Sequence, residues 1–168
     1  RYGYIEQLDD ELLRISKESF DALSFNCYAL SPDHEKMNHA LEISGLPMII
    51  GEYHFGTVDR GLAQSLWQVN SQKERGDAFR YYTENAFAHR GLIGTGWFRW
   101  IDQNINGRTD GENYNCGFID VTDRPYPYMV DAAIKTAKSL YEIHSGTKTP
   151  FHQAPNAVGH SPIPDLWE

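Results

Sequence analysis

The chain is short of several things. Its 168 residues include only two cysteines, Cys27 and Cys116. They stand far apart and outside any metal-ligand spacing, so neither a disulfide scaffold nor a zinc site is indicated. No apolar run approaches the roughly 20 residues that span a bilayer, which excludes a transmembrane protein. Basic residues are outnumbered, 15 Lys+Arg against 23 Asp+Glu, for a formal charge of -8. With no Lys/Arg cluster, a nucleic-acid binder is not expected, because that affinity comes largely from neutralising phosphates. A phosphate-cradling loop is also missing, since Gly94-Thr95-Gly96 sits inside an apolar run and lacks the lysine or third glycine of such motifs. The first residues lack a signal peptide's charged-then-apolar pattern, and the chain opens on Arg1, so a preceding segment is expected.

Aromatic residues, by contrast, are plentiful: 10 Tyr, 8 Phe and 4 Trp. Many lie beside Asn, Gly, Asp and Glu, a mixture suited to carbohydrate, whose rings offer an apolar C–H face and a polar rim.

Apolar spacing over residues 5–18 predicts an amphipathic helix. Strand-like runs follow at Asp21–Leu30, Pro47–Gly56 and Gly91–Gln103. Each is succeeded by a helical stretch: about 31–45, opened by Ser31-Pro32-Asp33 and closed by Gly45; about 72–89; and about 127–145. Strands alternating with helices imply parallel βαβ units, with functional groups at the carboxyl ends of the strands. Three such units leave two open sheet edges. The expected fold class is therefore α/β, the last three βα units of a (β/α)8 barrel that would need about 250 residues in all. The rival is a small open three-layer α/β domain. Residues 1–145 form the catalytic part in this reading, and 146–168, with four prolines, an extended or disordered tail.

Glu52 ends the run PMIIG, where a carboxylate is held rigidly at the carboxyl end of a buried strand and suits a nucleophile. Alternation puts Glu52 and His54 on one face and Tyr53 on the other, so His54 is a candidate for positioning Glu52. On the preceding strand Asn26 and Tyr28 share a face, and a tyrosine hydroxyl beside a carboxylate can orient it. Cys27 falls on the other face, as a core residue. Trp97 and Trp100 are candidate sugar-stacking walls, and their three-residue separation lets only one line the interior. Gln103, Arg108, Asp110, Glu112 and Asn113 are candidate contacts from the polar loop that follows. That loop, DQNINGRTDGEN, imitates a calcium loop at Asp102, Asn104, Asn106 and Gly107, but Asn113 stands where the last carboxylate belongs. Histidines 34, 39, 89, 144, 152 and 160 form no ligand pair and are expected at the surface.

The segments PMIIGEYHFGTVDRG and GTGWFRWIDQNINGRTDGENYNCGFIDVTDRPYPYMVDAA resemble the β-agarases of glycoside hydrolase family fifty, in the clan of retaining (β/α)8-barrel glycosidases. The similarity runs from about Arg1 to His144. It implies that the chain begins just after the fifth barrel strand and holds strands six to eight. It also implies Glu52 as nucleophile and Tyr28 as its neighbour, with no metal or organic cofactor. The clan's acid/base glutamate, usually after an asparagine on strand four, falls outside the chain. A second polypeptide or a missing N-terminal segment would therefore complete the site. The implied activity is hydrolysis of β-glycosidic bonds in a galactose-containing polysaccharide such as agarose, outside the cell or in the periplasm. Related agarases tend toward His-Trp-Phe-Gln-Tyr where this chain has Gly96-Trp97-Phe98-Arg99-Trp100, which leaves other β-galactosides and β-glycans open as substrates. A catalytically incomplete carbohydrate-binding or assembly module is the alternative from another class.

Overall fold

The computed structural model describes residues 1–160. Four strands form one parallel sheet in the order β1-β2-β3-β5: β1 (Tyr2–Tyr4), β2 (Leu23–Asn26), β3 (Met48–Tyr53) and β5 (Leu92–Trp97). Helices α1 (Asp10–Ser19), α2 (His34–Ser44), α3 (Gln72–Phe87) and α4 (Pro127–His144) follow them in turn. This is the crossover that parallel pairing demands. No helix of the described residues is long and apolar enough to cross a membrane.

The sheet has four strands where sequence spacing predicts three. Tyr2 lies opposite Phe25 and Tyr4 opposite Asn26, so the chain begins on a strand. The helix expected from residue 5 starts later, because Asp9 accepts a hydrogen bond from the Leu12 N–H at 2.8 Å and caps α1. Ile5–Gln7 form a 3-10 turn instead. α2 begins after Asp33, which caps two N–H groups, and stops at Gly45, whose φ of 68° is the left-handed region glycine favours.

One face of the sheet carries the core. Leu23, Phe25, Met48, Ile50, Tyr53 and Leu92 are buried and pack with Leu13, Met37, Phe79, Tyr82 and Met129 from the helices. Along β3 the buried positions are 48, 50 and 53, while Ile49, Gly51 and Glu52 are half-buried. The three-residue step from Ile50 to Tyr53 is a bulge: Phe25 pairs Ile50, Asn26 pairs Glu52, and Gly51 is skipped. A bulge re-aims the next side chain, and here it turns Glu52 to the face opposite Tyr53.

Among the described residues the two outer strands, β1 and β5, have one partner each in this sheet. The tail crosses back over the helices: β6 (Val158–Gly159) pairs antiparallel with β4 (Trp67–Gln68), and the His160 N–H donates to the Leu66 carbonyl at 2.7 Å. Its anchor is Glu84, 1% exposed, which accepts from the Phe151 N–H (2.8 Å), Arg80 Nε (2.9 Å) and the Thr136 hydroxyl (3.0 Å). Residues 146–160 are thus held against the helices, while the rest of the predicted tail, 161–168, lies outside the described residues.

Candidate active site

Three donors converge on Glu52. Its Oε2 accepts from the Tyr28 hydroxyl at 2.9 Å and from Asn26 Nδ2 at 3.0 Å. Its Oε1 lies 2.8 Å from Arg1 Nη2. Asn26 and Tyr28 reach the same oxygen because β2 runs beside β3 in parallel, with Asn26 opposite Glu52. Burial, then the charge of Glu52, pushes the Tyr28 hydroxyl well above its ordinary pKa, so it keeps its proton and stays a donor. Arg1 gives no sequence signal: an arginine just before a three-residue strand shows neither periodicity nor motif.

His54 does not bond Glu52. Its Nε2 accepts from the Leu66 N–H at 3.1 Å, which leaves the proton on Nδ1, 3.0 Å from the Phe98 carbonyl. Burial lowers its pKa to about 3, so the ring is neutral. It meets Tyr28 edge-on at 4.9 Å and Tyr114 at 5.7 Å. His54 thus touches the ring whose hydroxyl bonds Glu52, and not the carboxylate itself. Tyr114, which sequence reading passes over as one aromatic in a polar loop, completes this wall.

The two tryptophans part company. Trp97 pairs opposite Tyr53 and packs on the helix-covered face, 5.2 Å from Tyr53, 5.5 Å from Phe79 and 5.7 Å from Phe118. Its Nε1 donates to the Cys116 carbonyl at 2.6 Å. Trp100 is 65% exposed and stacked on Phe118 at 5.7 Å. Parity lets only one of them line the interior unless the strand end intervenes, and the two border one groove of about 330 Å³ with Tyr53, Phe79, Thr95 and Phe118. The reason is that β5 stops at Trp97, so alternation no longer applies at residue 100.

The polar loop is largely occupied with itself. Gln103, fully buried, donates to Glu112 at 2.7 Å and accepts from the Tyr114 N–H at 2.7 Å. Glu112 also pairs with Arg108 at 3.0 Å, and Arg108 with Asp110 at 2.6 Å. Asn113 accepts from the Ala63 N–H. Asp102, first in the calcium-like series, is buried and accepts from Asn115 Nδ2 (2.8 Å), the Tyr126 hydroxyl (2.6 Å) and the Gly117 N–H (2.7 Å). The fully buried Arg75 donates to Asn115 and Gly117 and stacks 4.5 Å over the Tyr126 ring. These residues lock loop to helix.

One histidine departs from the surface placement. His89 is 4% exposed, accepts from the Gly91 N–H at 3.1 Å and reaches Asn38 Oδ1 at 3.1 Å. His34 and His160 are half-buried. Cys27 and Cys116 are both buried free thiols, and burial raises Cys116 to about 12.

The parallel sheet backed by helices is an α/β fold similar to that of glycoside hydrolase catalytic domains. No family model matches the chain. It is 40% identical over 128 residues to β-agarase A of Vibrio sp. (strain JT0107), a match covering 72% of this chain and 13% of that protein. The crystal structure of an agarase aligns with a TM-score of 0.77 at 37% identity, over 82% of this chain and 21% of that one. An exo-β-agarase aligns with a TM-score of 0.76 at 36% identity, over 82% and 19%. Over 72% of its length the chain is thus similar to the family-fifty β-agarases, and it spans 13% of the length of the curated relative.

Proposed function

We propose that this chain is the C-terminal part of the catalytic (β/α)8 barrel of a retaining glycoside hydrolase that cleaves β-glycosidic bonds in agarose or a related galactose-containing polysaccharide. The observation that carries the reading is the Glu52 carboxylate, gripped on both oxygens at the carboxyl end of β3. The unpaired outer edges of β1 and β5 support completion of the barrel by a preceding segment of a longer protein or a second polypeptide.

In this mechanism Glu52 attacks the anomeric carbon as the glycosidic C–O bond breaks, and the leaving oxygen takes a proton from a carboxylic acid supplied by the completing portion. That carboxylate, about 5–5.5 Å from Glu52, then deprotonates water. The water attacks the anomeric carbon, and Glu52 departs with its electron pair. Tyr28 and Asn26 orient the nucleophile, and His54 fixes Tyr28. Trp100 with Phe118 presents a flat wall to a sugar ring, while Trp97, Gln103, Glu112 and Asn113 shape the loop around it. A polymer too large to enter a cell places the enzyme outside it or in the periplasm.

Glu52→Gln in the intact agarose-cleaving protein tests the reading. The expected result is a fall in kcat of about 10⁴-fold or more with oligosaccharide binding retained. A 2-deoxy-2-fluoro galactoside should label Glu52 covalently, seen by mass spectrometry. A wild-type cleavage rate in the Gln variant overturns the assignment, because the nucleophile then lies elsewhere.

A further inference from the structure

Glu52 has two kinds of partner, one for each oxygen. Asn26 and Tyr28, both neutral, hold Oε2, and Arg1 alone holds Oε1 at 2.8 Å. Arg1 immediately precedes β1, two strands away from β3 in the sheet order, so its side chain must cross β2 to arrive. The route is open because Gly51 carries no side chain: a Cβ there would stand 2.7 Å from Arg1 Cδ. Gly96 on the next strand is equally bare, its position pressed against the Gly51 carbonyl. The arginine stem therefore passes over Gly51, with the carboxylate at its end.

We propose that Arg1 is a third positioning residue of Glu52, the cation that fixes Oε1 and sets the carboxylate's rotation about its last bond. The proposal rests on the reading of Glu52 as nucleophile. Two hydrogen bonds to Oε2 alone leave the carboxylate plane free to swing about that oxygen, whereas a charged donor on the second oxygen removes the swing. Arginine is well suited to this role, because its guanidinium presents several donors in a rigid plane that matches a carboxylate.

The test uses the intact agarose-cleaving protein and reads kcat and KM separately. Arg1→Ala is expected to lower kcat about tenfold to a hundredfold, the range of a lost charged hydrogen bond. KM should change by less than about threefold. Arg1→Lys should recover most of the rate, and millimolar guanidinium ion added to Arg1→Ala should restore part of it while leaving wild type unaffected. A merely structural arginine would show neither rescue. If Arg1→Ala keeps kcat within about twofold of wild type while Glu52→Gln abolishes cleavage, the ion pair is an idle surface contact and the proposal is overturned, with the nucleophile assignment intact. If Glu52→Gln still cleaves, both fall together.

Discussion

The imidazole of His54 gives its Nδ1 proton to the Phe98 carbonyl over 3.0 Å, tying the end of β3 to the residue that follows β5. Because Nε2 already accepts from the Leu66 N–H, no second proton can be added without breaking a hydrogen bond inside the fold. The ring is held neutral by geometry as well as by burial.

That arrangement makes His54 a source of acid sensitivity. Its pKa falls from an ordinary 6.5 to about 3 on folding. A depressed pKa contributes stability that is fully present above about pH 6.5 and is lost as pH falls toward 3, since the unfolded chain binds the extra proton. His54→Gln, which can still donate and accept, is expected to flatten the stability profile between those values by about 1.4 kcal/mol per pH unit. Urea unfolding of both proteins across that range checks it. An unchanged slope would show that His54 titrates equally in both states.

Trp97 and Trp100 should separate in opposite senses. Trp97→Ala empties part of the aromatic cluster around Tyr53 and Phe79 and is expected to cost about 3–5 kcal/mol. Trp100→Ala removes a 65% exposed ring and should change stability by less than about 1 kcal/mol, yet weaken agaro-oligosaccharide binding. Denaturation midpoints and calorimetric titration read the two effects, and a stability loss confined to Trp100→Ala would contradict the packing described.

Glycines of β5 offer an internal control. A Cβ at Gly96 would lie 2.6 Å from the Gly51 carbonyl oxygen, whereas one at Gly94 would meet only Ile49 side-chain carbons at 3.6 Å or beyond. Gly96→Ala should cost about 1–3 kcal/mol by forcing β3 and β5 apart, and Gly94→Ala should be near neutral. Equal thermal midpoints for the pair would refute the close approach.

Asp102 is expected to be the most sensitive position of the loop. Its replacement by Ala strands the Tyr126 hydroxyl proton and the Gly117 N–H and leaves the Asn115 amide only its bond to Tyr126. A loss of about 3–5 kcal/mol follows from leaving such buried donors unpaired, measured as a lower urea midpoint at unchanged m-value. A variant as stable as wild type would mean that water replaces the carboxylate.

The strand–helix alternation was legible because β2, β3 and β5 are apolar runs bounded by turn residues, and because Asp33 and Gly45 are local punctuation that works without the rest of the fold. Glu52, Asn26 and Tyr28 could be grouped from strand parity, even though the Gly51 bulge shifts that parity by one residue. What escaped depends on pairing at a distance. Tyr2–Tyr4 becomes a strand only by lying beside β2, and Ile5 and Leu8 mimic helical spacing until Asp9 caps. Arg1 matters through a side chain that Gly51 lacks. Arg75 reads as one more charged helix residue, and only the loop folded over it makes it buried. His89 is likewise indistinguishable in sequence from a surface histidine until Asn38 and Gly91 close around it.

Leu66 uses both of its backbone groups in the span described: its N–H restrains His54, and its carbonyl receives His160 from the tail. The peptide acts as a relay between the far end of the described chain and the wall of the cleft. Cutting the protein after Phe151 would free that carbonyl and the β4 edge together, so the loosening should register first as faster amide exchange at Leu66. The consequence is practical: a tag or truncation placed after α4, although remote in sequence from Glu52, falls within mechanical reach of it.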